Sequence, residues 1–108
     1  MQVQSGKRVS SIERAFRDAA RRVLLVIDEL SDSRTLADGL DDLRALVVAL
    51  PLAPDELCKA QQRIRNTYRY SAAGERGAAV YELRALLQGL SAWAHESGFH
   101  GIAPVMSA

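Results

Sequence analysis

Four stretches of this chain repeat their apolar residues every three or four positions, and a helix-breaking cluster closes each one. This pattern constrains the fold more than any other feature. A period of 3.6 gathers apolar residues onto one stripe of a helix, and such a stripe has to be buried. In the first stretch Ile12, Phe16, Ala19, Val23, Val26 and Leu30 alternate steps of four and three. Ser10 and Glu13 have the spacing of a capping box and predict its start, and "SDS" at 31–33 ends it. The second stretch, Leu36, Leu40, Leu43, Val47 and Leu50, stops at Pro51. The third uses Leu57, Ala60, Ile64 and Tyr68, with Thr67 beside them. Pro54 suits its first turn, and Asp55 and Glu56 suit its dipole. The fourth uses Ala79, Leu83, Leu87, Leu90 and Ala94, flanked by Leu86 and Trp93. "AAGERG" separates it from the third, and Gly98 is a natural left-handed cap at its end.

These signals predict helices over about 10–30, 34–50, 54–71 and 77–97. Residues 1–9 read as a flexible N-terminus. Residues 99–108 have no period and read as a tail, although Phe99, Ile102 and Val105 can fold back. No segment alternates with period two, so strands are not expected. The expected fold is all-α: one domain over 10–98, either an antiparallel four-helix bundle or two stacked helical hairpins, with a short irregular C-terminal tail.

Two stretches look like a repeat. "DDLRALVVAL" and "YELRALLQGL" align at an offset of forty, but the match fades outside that window. Two amphipathic helices with the same role explain the likeness as well as a duplication does. Two hairpins are also too few for a solenoid.

The composition is that of an ordinary soluble domain, with 48% hydrophobic and 25% charged residues and a net charge of +1. There is no global bias toward nucleic acid or an anionic membrane. The charges are nevertheless segregated. Residues 31–58 are acidic, with Asp38, Asp41 and Asp42 together, and residues 59–84 are basic. The N-terminus lacks the order of a secretion signal, and the longest clean apolar run, Val23 to Ile27, is far short of the roughly 20 residues that span a bilayer. Cys58 has no partner for an internal disulfide. A cytoplasmic protein is expected, with an Ala, Arg and Leu richness typical of high-GC bacterial coding.

Residues off the apolar stripes suggest surfaces. Leu25 falls among Arg14, Arg17, Asp18 and Arg21, so "VLLVI" shows apolar atoms all round its helix. That predicts a central helix or one covered by another chain. Val48 lies off the second stripe. The back of the fourth helix carries Tyr81, Ala85, Gln88, Gly89, Ala92 and His95, bordered by Glu82, Arg84 and Glu96. Small residues at helical spacing let another helix approach closely. Leu25, Val48, Tyr81, Ala85 and Ala92 are therefore the candidate contacts to a protein partner or to a second copy. The third helix offers a different surface. Lys59, Arg63, Arg65, Arg69 and Tyr70, with amides between them, have the chemistry to grip phosphates and stack on bases. The plainer reading is a solvated face that pairs with the acidic second helix.

No constellation carries catalysis. One Cys and two His fall short of a zinc site, His95 and His100 do not share a helix face, and "GERG" lacks the length and lysine of a phosphate loop. Cys58, at the edge of the third stripe, reads as a small packing residue. "RNTYRYSAAG" is similar to the Arg-plus-polar start of the motif in HEPN-type ribonucleases through Arg65 and Asn66. Ser71 and the following alanines stand where that family needs its His, so the resemblance implies no acid–base chemistry here.

The expected function is that of a small non-catalytic helical protein acting by protein–protein interaction, as an adaptor, inhibitor, regulator or accessory subunit. It is expected to self-associate and to use no cofactor, metal, small-molecule substrate or membrane. The alternative is a nucleic-acid-contacting helical module, perhaps a small ribonucleoprotein subunit, using the basic face of the third helix.

Overall fold

The computed structural model describes the backbone of residues 2–30 and 33–98, with side chains over 11–30 and 36–98. Four helices follow one another: α1 (Gln2–Glu29), α2 (Ser33–Val48), α3 (Pro54–Ala72) and α4 (Arg76–Glu96). No strand occurs among the described residues. Helix α1 packs on α2, α2 on α3, α3 on α4, and α4 back on α1. The connectors are short, so consecutive helices run antiparallel and the ring closes as a four-helix bundle. Helix α1 occupies a corner of that ring between α2 and α4. It is not the central helix that "VLLVI" suggested. The expected tail at 99–108 lies outside the described residues.

Local chemistry explains the ends of the elements. Helix α1 starts at Gln2, so most of the segment expected to be an irregular N-terminus is helical. Residues 2–9 contain no proline, and extending an existing helix costs far less than nucleating one, so the single Gly6 does not stop it. The helix runs through Ser10, so position 10 is not its start. The working N-terminal cap lies at α3. There Glu56 Oε1 accepts the backbone N–H of Ala53 at 3.0 Å, with Pro54 in the first turn. Helix α3 ends in a complete Schellman motif. Gly74 takes φ +78°, its N–H donates to Ser71 O at 3.0 Å, and the N–H of Glu75 donates to Tyr70 O at 2.8 Å. Gly98 repeats the left-handed turn after α4, at φ +91°.

The core follows the predicted stripes except at Tyr68 of α3, which is exposed at 56% because the buried face turns through its neighbour Thr67. Phe16, Ala19, Val23 and Val26 of α1, Leu43 and Val47 of α2, Ile64 of α3, and Ala79 and Leu83 of α4 are fully or almost fully buried. Phe16 meets Trp93 with ring centroids 6.4 Å apart and planes tilted by 42°, which ties α1 to the far end of α4. Thr67 is also fully buried. Its hydroxyl donates to Arg63 O at 2.8 Å, so no polar group is left bare on the core side of α3. The two "LRAL" segments present the same face to this core from α2 and α4, with Leu43 and Leu83 both at 0% exposure.

The α1–α2 contact depends on Gly39. A Cβ there would lie 2.7 Å from Glu29 Oε1 and 3.3 Å from Val26 Cγ2. Gly89, in the middle of α4, has nothing within 4 Å of the same position. The two glycines should therefore respond oppositely to substitution. Gly39→Leu is expected to lower unfolding free energy by about 1–3 kcal/mol through overpacking. Gly89→Ala should raise it by roughly 0.5–1 kcal/mol through helix propensity. Urea titration of the two variants checks both signs.

Candidate functional site

A groove of about 470 Å³ lies between α3 and α4. Its floor is apolar: Leu52, Ala60, Leu86, Leu90 and Trp93. The wall on α3 is polar, formed by Glu56, Lys59, Gln62, Arg63 and Asn66. The wall on α4 is low, because Ala85 and Gly89 have little or no side chain. Leu52 reaches the floor from the "PLAP" connector. The last turn of α2 tightens, with Leu50 N–H donating to Val47 O at 3.0 Å. Leu52 N–H then donates to Leu50 O at 2.8 Å and folds the chain back toward the groove.

One ion pair sets how α3 and α4 meet. Glu82 is on the core side of α4 at 6% exposure, between buried Ala79 and Leu83. Its carboxylate accepts two bonds from Arg63 Nη1, at 3.1 and 3.2 Å, and one from Asn66 Nδ2 at 3.3 Å. Gln62 Nε2 donates to Asn66 Oδ1 at 3.1 Å, and Arg65 Nη1 donates to Gln62 Oε1 at 3.2 Å. The polar wall of the groove is thus a braced ladder anchored on one buried carboxylate. The sequence reading placed Glu82 only at the border of the outer face. The signal that marks it is a carboxylate three residues after core Ala79 and four before core Leu86, facing a helix rich in arginine.

The candidate contact residues do not share one surface. Leu25, at 41% exposure, projects from α1 with Leu24 next to it at 42%, and Val48, at 53%, projects from the end of α2. Tyr81, Ala85 and Ala92 share one flank of α4, being spaced by four and seven, and Ala85 lines the groove. The basic residues of α3 are likewise divided. Lys59 and Arg63 line the groove, while Arg65 and Arg69 are exposed elsewhere on the helix and Tyr70 packs partly against the core.

One pairing expectation and one packing expectation are corrected. The basic helix α3 does not pair with acidic α2 through any ion pair of the described residues. Its ion pair goes to Glu82 of α4, and Asp42 of α2 faces Arg22 of α1 at 3.8 Å. The ring order puts the Asp42 flank of α2 toward α1, the helix on its other side. Cys58 is exposed and not packed, because it lies beyond the half-buried Leu57 that carries the α3 stripe.

Among the described residues no cluster of His, Cys, Asp and Glu is suited to a metal ion, and no helix is long and apolar enough to cross a membrane.

The ion pair has a measurable signature. Arg63→Met leaves the buried carboxylate with Asn66 alone and should cost about 1–3 kcal/mol of stability. Adding Glu82→Leu removes the orphaned charge and should recover most of that loss. A double-mutant cycle by chemical denaturation measures the coupling.

No protein-family model matches the chain, and neither the curated proteins nor the solved structures contain a match.

Proposed function

We propose that this protein is a small non-catalytic interaction protein, an adaptor, inhibitor, regulator or accessory subunit. Its α3–α4 groove receives an aromatic or large apolar anchor carried by a helix of a protein partner. The observation that carries this reading is the groove itself: an apolar floor including Trp93, a braced polar wall on α3 and a nearly bare wall on α4. A bare wall of Ala85 and Gly89 lets a second helix backbone come close, and the floor then takes the side chain it projects. Aromatic anchors in such pockets dominate the energetics of protein interfaces, while the polar rim excludes water and sets register. Of the groove's polar groups, Arg63 and Asn66 donate to Glu82 and Gln62 donates to Asn66, so they form a braced edge. A cytoplasmic setting goes with this reading, since a reducing compartment preserves the exposed thiol of Cys58.

Site-specific photo-cross-linking in cells tests it. A photoreactive residue replacing Gly89, on the groove wall, should form adducts with protein. The same residue replacing Arg14, exposed on α1, should not. Equal labelling from both positions, or none from Gly89, overturns the reading.

A further inference from the structure

The hydrogen bonds along the α3 wall of the groove use up its acceptors and leave donors. Glu82 receives Arg63 and Asn66, Asn66 Oδ1 receives Gln62, and Gln62 Oε1 receives Arg65. Glu56 Oε1 receives the N–H of Ala53. Lys59, by contrast, is exposed and has no hydrogen bond or ion pair among the described residues. Arg63 gives only Nη1 to Glu82, so Nε and Nη2 are unspent, and 40% of its side chain is exposed. The floor and the α4 wall offer no side-chain acceptor, being built of Leu, Ala, Gly and an indole that can only donate. A helix lying in the groove has its own backbone groups bonded internally. The acceptors that answer Lys59 and Arg63 therefore have to be side chains of the occupant. Carboxylates suit best, because charge-assisted bonds are about twice as strong as neutral ones and two cations covered without partners are costly.

We propose that the occupant of the groove is an acidic amphipathic helix of a protein partner, with its apolar anchor at the Trp93 end and its carboxylates on Lys59 and Arg63. This inference rests on the groove being a docking site. The register of α3 against α4 gives the spacing. Arg63 and Asn66 meet Glu82, and the helices are antiparallel. At 1.5 Å per residue, Lys59 lies about 8 Å from that level and Trp93 about 16 Å from it, in the same direction. The anchor is thus about 8 Å from Lys59 and about 14 Å from Arg63 along the groove. Carboxylates four and eight residues from the anchor, about 6 and 12 Å away on one helix face, fall within reach of these long side chains. The acceptor left over, Glu56 Oε2, is on the first turn of α3, about level with Leu90, at the anchor end. The wall therefore changes sign along its length, from acid beside the anchor to base beyond it. That gradient fixes where the partner's carboxylates belong.

Trp93 is the single tryptophan of the chain and forms part of the groove floor, so its fluorescence reports occupancy. The probes are alanine-rich helical peptides with one Phe anchor. They carry glutamates four and eight residues after the anchor or, for the opposite direction, before it, and lysines at the same places in the controls. One of the glutamate peptides should change Trp93 emission saturably, and its lysine control should bind at least about tenfold more weakly. Salt at about 0.5 M should weaken the glutamate peptide. Lys59→Glu should weaken it about tenfold and Lys59→Arg should not, with the circular dichroism of both variants unchanged. Equal binding of the glutamate and lysine peptides overturns the inference, and so does the absence of any response from Trp93. In cells, the photoreactive residue at position 89 should lose its protein adducts in the Lys59→Glu chain and keep them in the Lys59→Arg chain. Adducts that persist in the Lys59→Glu chain leave the groove function standing and remove the acidic partner. No adducts in the parent chain remove both.

Discussion

Glu82 stands where the apolar stripe of α4 calls for a leucine, and the α3–α4 half of the bundle is arranged to keep its carboxylate satisfied. A carboxylate buried to this extent is tolerated only when paired and hydrogen-bonded. Arg63 and Asn66 meet that need from α3, and in doing so they set the height and rotation of α3 against α4. Gln62 and Arg65 extend the bonding along the surface of α3. Leu and Ile along this seam would have packed in many registers at similar cost. A charged fork has few, so the pair contributes specificity where apolar contacts contribute stability.

The groove follows from the same pair. On α3 the braced ladder stands up as a wall. On α4 the positions facing it are Ala85 and Gly89, which leave nothing to fill the space above Leu86, Leu90 and Trp93. A bundle seam lined by large residues on both sides would have closed. Here one side is polar and held outward by its own hydrogen bonds, and the other is bare. The contrast with the α1–α2 seam makes the point. There Gly39 is used to bring two helices into contact, with Glu29 and Val26 against its backbone. Gly89 has open space over it.

Much of the fold was legible in the residues. The apolar positions at three- and four-residue spacing name the core, and Phe16, Val23, Leu43, Ile64 and Leu83 are buried where the spacing puts them. Pro54, Gly74 and Gly98 mark ends because their backbone chemistry permits little else. The start of α1 was misread because a capping box is a local preference of about a kilocalorie, which a helix already under way overrides. The site was much less legible. Tyr81, Ala85 and Ala92 could be placed on one flank from spacing alone, but Leu25 and Val48 could not be separated from them, since a helical wheel gives no distances between helices. Leu52, in a loop, and Trp93, on the flank of its stripe, gave no sign that they share a groove floor.

The sequence by itself determined four helices, the ends of all but the first and most of the stripe each one buries, because those depend on interactions within about four residues along the chain. Only the tertiary structure decided which helix neighbours which, that Arg63 belongs to Glu82 and not to the acidic second helix, and that the α3–α4 seam stays open. Those outcomes depend on the rotation of each helix about its axis, and that rotation is fixed where a buried charge must find its partner across the bundle.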